Sequence, residues 1–104
     1  MNAPTGSAPQ CLVVNGEKLP AGSGGSEELC RALERALVAR GRQPRFTVRV
    51  RVEPRSILTA DVTLADGRTL PALHMAEMDR PITKDTLNRF GRAIVDHATG
   101  GERQ

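Results

Sequence analysis

The stretch "RFTVRVRVEPRSILTADVTLA", residues 45–65, decides the fold. Phe46, Val48, Val50 and Val52 take alternate positions, and Thr47, Arg49, Arg51 and Glu53 fill the gaps. Successive side chains on a strand point to opposite faces, so one face here is oily and the other charged. Pro54 ends the run, and Leu58, Ala60, Val62 and Leu64 repeat the alternation. Matching the faces selects the register. A two-residue loop at 54–55 would set the valines against Thr59 and Asp61. A three-residue loop, Pro54-Arg55-Ser56, sets Val52 against Leu58, Val50 against Ala60, Val48 against Val62 and Phe46 against Leu64, which keeps one face wholly apolar. That register also predicts Arg49 opposite Asp61 and Arg51 opposite Thr59 on the other face.

The pattern extends in both directions. Asp66-Gly67 is a type I′ turn signal. It leads into a third strand that pairs Val62 with Pro71, Ala60 with Leu73 and Leu58 with Met75, and sets His74 against Thr59. Pro71 has no N–H to give, so this strand lies at an edge or carries a bulge. Thr83 then suits a helix N-cap, with Ile82 and Leu87 spaced as a hydrophobic staple. Leu87, Phe90, Ile94 and Ala98 form the stripe of that helix, Gly100 is the expected stop, and residues 100–104 are expected to fray.

Upstream of the ribbon, Ser26 is the expected N-cap of another helix, with Glu27 and Glu28 favourable to its dipole. Leu29, Cys30, Leu33, Ala36 and Leu37 make its stripe, and Arg31, Glu34, Arg35 and Arg42 are left for solvent. Gly41 suits the position just past its end. "AGSGGS", 21–26, reads as a flexible connection. In "CLVVNGEKLP" the Asn15-Gly16 pair predicts a short hairpin, 11–14 with 17–20. Residues 1–10 hold little to bury and read as a disordered tail. The expectation is a single α+β domain over 11–99: a short N-terminal β-hairpin, a helix, a three-stranded antiparallel meander and a C-terminal helix, with both helices packed on one sheet face.

The totals bound what such a domain can do. A chain of 104 residues has room for one modest core. Phe46 and Phe90 are its only aromatics, which argues against recognising single-stranded nucleic acid by base stacking. No apolar run approaches ~20 residues, so no membrane span is expected. Net charge is +3, unevenly spread: eight arginines between Arg31 and Arg55 face only Glu34 and Glu53. Such a cluster can mark an anionic partner, or only a composition rich in arginine, since the chain has 13 Arg and two Lys.

Two cysteines do not announce a disulfide scaffold. Cys11 and Cys30 fall on elements that a bridge could join, which would stabilise by about 3 kcal/mol in the chain-entropy model and imply an oxidising compartment. Two buried thiols in a cytosolic protein are the alternative. "MNAPTGSAPQ" lacks the basic and apolar segments of a signal peptide, so an exported protein would have to be a processed form.

The order helix, three strands, helix, over about residues 26–98, resembles that of double-stranded RNA-binding domains. That family sets a lysine cluster at the start of the last helix. Here the stretch reads "TKDTLNR", with Lys84 followed directly by Asp85, and the glycine-rich lead-in is missing. A shared element order does not by itself carry function.

No catalytic set is expected. "GSGGS" lacks a P-loop lysine, and Glu27 and Glu28 would repel a phosphate at that helix start. His74 and His97 are not spaced as ligands and no CxxC occurs, so neither metal nor other cofactor is expected. His74 beside Arg51 could act as an anion-holding dyad, but reads more simply as surface. His97 near a helix C-terminus suits the dipole. Met75 and Met78 are either gap-fillers or an adaptable contact edge. The reading is a small non-enzymatic binding domain with an unknown macromolecular partner, protein favoured over nucleic acid, existing as monomer or weak homodimer. Its candidate anion- or partner-binding residues are Arg42, Arg45, Arg49, Arg51, Arg55 and His74. It is exported if Cys11 and Cys30 pair, and cytoplasmic otherwise. The second reading is polyanion binding through the arginine-rich sheet face, with affinity falling steeply with salt.

Overall fold

The computed structural model describes residues 10–40, 46–54, 56–77 and 80–102. Its elements run β1 (Gln10–Val14), α1 (Gly25–Arg40), β2 (Phe46–Glu53), β3 (Ile57–Leu64), β4 (Leu73–Ala76) and α2 (Lys84–Glu102), with two 3-10 turns between β1 and α1. The four strands form one sheet in the order β1-β2-β3-β4. The class is α+β with a mixed sheet.

The central ribbon follows the alternation of its sequence. Val52 lies opposite Leu58, Val50 opposite Ala60, Val48 opposite Val62 and Phe46 opposite Leu64. All eight of these residues are buried. They join Leu29, Leu33, Ala36 and Leu37 of α1 and Leu87, Phe90, Ile94, Val95 and Ala98 of α2 in one core. Both helices thus contribute to the layer on the apolar face, and Thr47 and Arg49 point away from it.

The β3–β4 connection corrects the type I′ expectation. That turn needs two residues with positive φ, but only Gly67 has one, at 94°. The Gly67 N–H donates to the Leu64 carbonyl and the Leu64 N–H to the Arg68 carbonyl, closing a three-residue loop instead. Asp66 Oδ1 accepts the Arg68 N–H at 3.0 Å, a side-chain turn that favours this loop. The longer loop shifts the register near the turn by one residue, giving Thr63 opposite Thr69. Beyond Pro71 and Ala72 the expected pairs return, with Ala60 opposite Leu73, Thr59 opposite His74 and Leu58 opposite Met75. Pro71-Ala72 absorbs the extra residue as a bulge, which is where a residue without an N–H is tolerated.

The expected N-terminal hairpin does not form. β1 pairs in parallel with β2, Cys11 beside Val48 and Val13 beside Val50. Asn15 does adopt a left-handed conformation, φ 63°, but Gly16 then starts a 3-10 turn rather than a second strand. Residues 17–20 offer only Leu19 as a sizeable apolar side chain. Beside β2, by contrast, Cys11 and Val13 both pack against the core. The burial available from the pre-existing apolar face outweighs a local turn signal.

The glycine-rich connection is also more ordered than its composition suggests. Ser23 is buried, donating to the Pro20 carbonyl at 2.6 Å and accepting from the Gly25 N–H at 3.2 Å. Ser23, rather than Ser26, therefore engages the backbone at the helix entry, and α1 already includes Ser26. Gly24 and Gly25 have φ of 92° and 73°, the left-handed region open to glycine. At the other end of the fold, Thr83 accepts from the Thr86 N–H while Thr86 Oγ1 accepts from the Thr83 N–H, a reciprocal cap. Ile82 and Leu87 are both buried, as the staple requires. Gly100 does not end α2, which runs on to Glu102. Of the tail expected over 1–10, residues 1–9 lie outside the described residues, whereas Gln10 opens β1; Gly41 and the last two residues, 103–104, also lie outside them.

Candidate functional site

The sheet face turned away from the helices carries the predicted candidates. β2 sets Arg49 and Arg51 there, flanked by β1 on one side and β3 on the other. Arg49 lies beside Leu12 in the parallel ladder and opposite Asp61 in the antiparallel one. Asp61 nevertheless pairs with the neighbour of Arg49. Arg51 Nη2 approaches Asp61 Oδ2 at 3.4 Å, and Arg51 Nη1 approaches Glu53 at 3.9 Å. Among the described residues Arg49 makes no ion pair and is exposed. A diagonal contact is within reach of a long guanidinium side chain, and Arg51 sits between two carboxylates whereas Arg49 faces one. Arg42, Arg45 and Arg55 lie outside the described residues, as does Met78. Of the six predicted binding residues, the structure therefore places Arg49, Arg51 and His74 on this face.

His74 on β4 is exposed, and its Nδ1 lies 3.1 Å from Thr59 Oγ1. A histidine against a hydroxyl can activate a nucleophile. Thr59, however, is only 1% exposed, so its oxygen does not meet solvent or substrate. The pair ties β4 to β3. Arg51 borders the same position, with its Nε buried and without a hydrogen-bond partner. The face is asymmetric across its width. In the middle Arg51 pairs with Asp61 and Thr59 bonds His74, while Leu12 at the β1 side is 57% exposed. Sequence reasoning missed Leu12, because pairing β1 in a hairpin gave no hint that this leucine would stand beside Arg49.

Other polar clusters knit the fold. Arg35 of α1 bonds Glu28 at 2.8 Å and Asn88 of α2 at 2.6 Å, joining the helices. The hydrogen bond from Arg35 holds the Glu28 carboxyl below the ordinary range, against the opposing effect of its partial burial. Glu77 accepts from the Thr86 hydroxyl at 2.6 Å and from Arg89 at 2.7 Å, and Arg89 also holds Asp85. The Thr86 hydrogen bond foremost lowers the Glu77 pKa. His97 Nε2 lies 2.8 Å from the Pro71 carbonyl, so it anchors the bulge to α2 instead of serving the helix dipole alone. A groove of about 270 Å³ between the helices is lined by Ala36, Ala39, Val95, Arg92 and Asp96.

Cys11 and Cys30 are joined by a disulfide, S–S 2.05 Å, which fastens β1 to α1. Among the described residues no three His, Cys, Asp or Glu side chains gather to hold a metal. No described helix is long and apolar enough to cross a membrane. No family model, no curated protein and no solved structure matches the chain.

Proposed function

We propose that the protein is a small non-catalytic binding domain that presents the open face of its sheet to a protein partner. The observation that carries this reading is the juxtaposition of Leu12, more than half exposed, with Arg49, which has no ion pair among the described residues. An apolar side chain beside an uncompensated guanidinium suits a surface that offers an apolar residue and a carboxylate together. The Cys11–Cys30 bond supports a working life in an oxidising compartment.

The test is a titration of the oxidised protein with a synthetic peptide of alternating glutamate and leucine, followed in amide NMR spectra. Saturable shifts at Leu12, Thr47 and Arg49, lost in Arg49→Glu, are expected. Absence of saturation at millimolar peptide, or shifts confined to the helices, rejects the reading.

The polyanion reading rests on the same arginines. Arg51's contacts with Asp61 and Glu53 count against it, because a phosphate would have to compete with two carboxylates already in place. Stronger binding to an RNA homopolymer than to the peptide, falling steeply as salt rises, would favour it instead.

A further inference from the structure

The two edges of the sheet are built differently. β4 is four residues long and is preceded by the bulge at Pro71-Ala72. Short length, a proline and a bulge are the usual devices that stop an edge from recruiting another strand. β1, "QCLVV", has none of them: no proline, no bulge and no charged residue. Among the described residues its only strand neighbour is β2. Among the described residues, no backbone hydrogen bond outside its ladder reaches Gln10–Val14. An apolar, uncharged, unblunted edge is a template for pairing.

We propose that β1 pairs with β1 of a second copy of this chain, antiparallel across a twofold axis, to give one continuous eight-stranded sheet. This inference does not depend on the partner reading above. A second copy fits better than a foreign strand for two reasons. Identical strands related by a twofold meet their own sequence reversed, which is unfavourable for any charged strand whose like charges then face each other; "QCLVV" has no charge to oppose. Pairing of the two bare edges also leaves only the two β4 edges outermost, and these are the blunted ones, so the assembly closes at two copies.

Register follows from the faces. Leu12 and Val14 share the outer face, and Cys11 and Val13 face the core side, by strand alternation beside Arg49, Arg51, Val48 and Val50. A twofold passing between residues would mix the faces; one passing through a residue keeps them. Centring it on Leu12 pairs all five residues of the strand and sets Leu12 against its own copy on the outer face. The two Arg49 side chains then flank the leucine pair, doubling the face.

A five-residue edge buries little surface, so the dimer is a weak one. Sedimentation velocity of the oxidised full chain, from low to high micromolar, should show a concentration-dependent monomer–dimer equilibrium. Leu12→Lys places two ammonium groups across the axis and should weaken association by about tenfold or more. Because Leu12 is largely exposed, the variant should keep the parent's unfolding midpoint at the low concentrations where the parent is monomeric. Ala76→Lys, on the opposite edge, should leave association unchanged. Amide exchange in residues 10–14 should slow with concentration in the parent and not in Leu12→Lys. A monomer throughout the range overturns the proposal. So does a dimer insensitive to Leu12→Lys, a dimer lost in Ala76→Lys, or exchange in 10–14 that ignores concentration.

Discussion

The segment before residue 41 and the segment after 45 fold by different rules. β2, β3, β4 and α2 are joined by short connections and bounded by local devices: two three-residue hairpin loops and the Thr83–Thr86 cap. β1 and α1 are held by contacts distant in sequence: a parallel ladder to β2, a disulfide spanning 19 residues, and Arg35 reaching Asn88. A parallel pair needs a crossover connection, here α1 itself, and so no turn chemistry announces it. The later segment carries its instructions locally; the earlier one takes its place from the apolar face that the later one supplies.

The strongest challenge to this contrast is removal of the disulfide. Replacing Cys11 and Cys30 with alanine should lower the unfolding free energy by about 3 kcal/mol for a loop of this length in the chain-entropy model, as read by urea denaturation. Amide exchange should accelerate first in β1 and the start of α1. Equal acceleration in the β2–β3 ribbon would mean that the two segments are one cooperative unit.

The seam between the segments is tested at Gly91. A Cβ there would lie 3.0 Å from the Ala32 carbonyl carbon and 3.1 Å from the Leu33 nitrogen. These are backbone atoms of α1 and cannot swing aside as a side chain can. Gly91→Val should therefore force the helices apart and cost about 2 kcal/mol, within the range of overpacked cores. An unchanged thermal midpoint would show that the helices cross with room to spare.

A smaller effect sharpens the local side of the contrast. Thr83→Ala removes the oxygen that receives the Thr86 N–H and should cost about 1 kcal/mol. Its effect on hydrogen exchange should be confined to the first turns of α2. Spread into β1 would contradict a locally determined helix start.

The smallest effect is that of acid. Glu28 and Glu77 both have pKa values lowered in the folded state, the first by its bond to Arg35 and the second chiefly by its bond to Thr86. A lowered native pKa means that the unfolded chain binds protons first. Their stabilisation is complete at neutral pH, starts to fall as pH drops below the ordinary glutamate value of about 4.3, and is gone below the native values. Glu77→Gln and Glu28→Gln should each flatten the acid limb of stability against pH. Because Glu28 holds Arg35, which in turn bridges α1 to Asn88 of α2, whereas Glu77 secures the start of α2, only the first should also loosen α1 in hydrogen exchange.

Much of the ribbon was legible in the residues themselves. Face matching alone selects the loop at 54–56, since a slip of one residue would bury Asp61 or wet the valines. Ile82, Thr83 and Leu87 likewise announce the start of α2, because a cap and staple act within one turn. Asp66-Gly67 was misleading in type: the Asp66 side chain and Gly67 stabilise a three-residue loop as readily as a two-residue one, and the bulge at Pro71-Ala72 restores the pairing. Asn15-Gly16 misled further, because a turn signal predicts a hairpin only when a second strand has something to bury.

The candidate face divides in the same way. That arginines alternate with valines, and so stand opposite the core, is a property of the chain alone. Which arginine is neutralised is not, because Arg51 reaches Asp61 diagonally through a geometry that register does not specify. Nor could the chain alone set Leu12 beside Arg49 or leave the edge of β1 bare. Both follow from a parallel pairing between segments more than 30 residues apart, and such contacts are decided by the burial that the assembled sheet offers rather than by any local preference of the residues that make them.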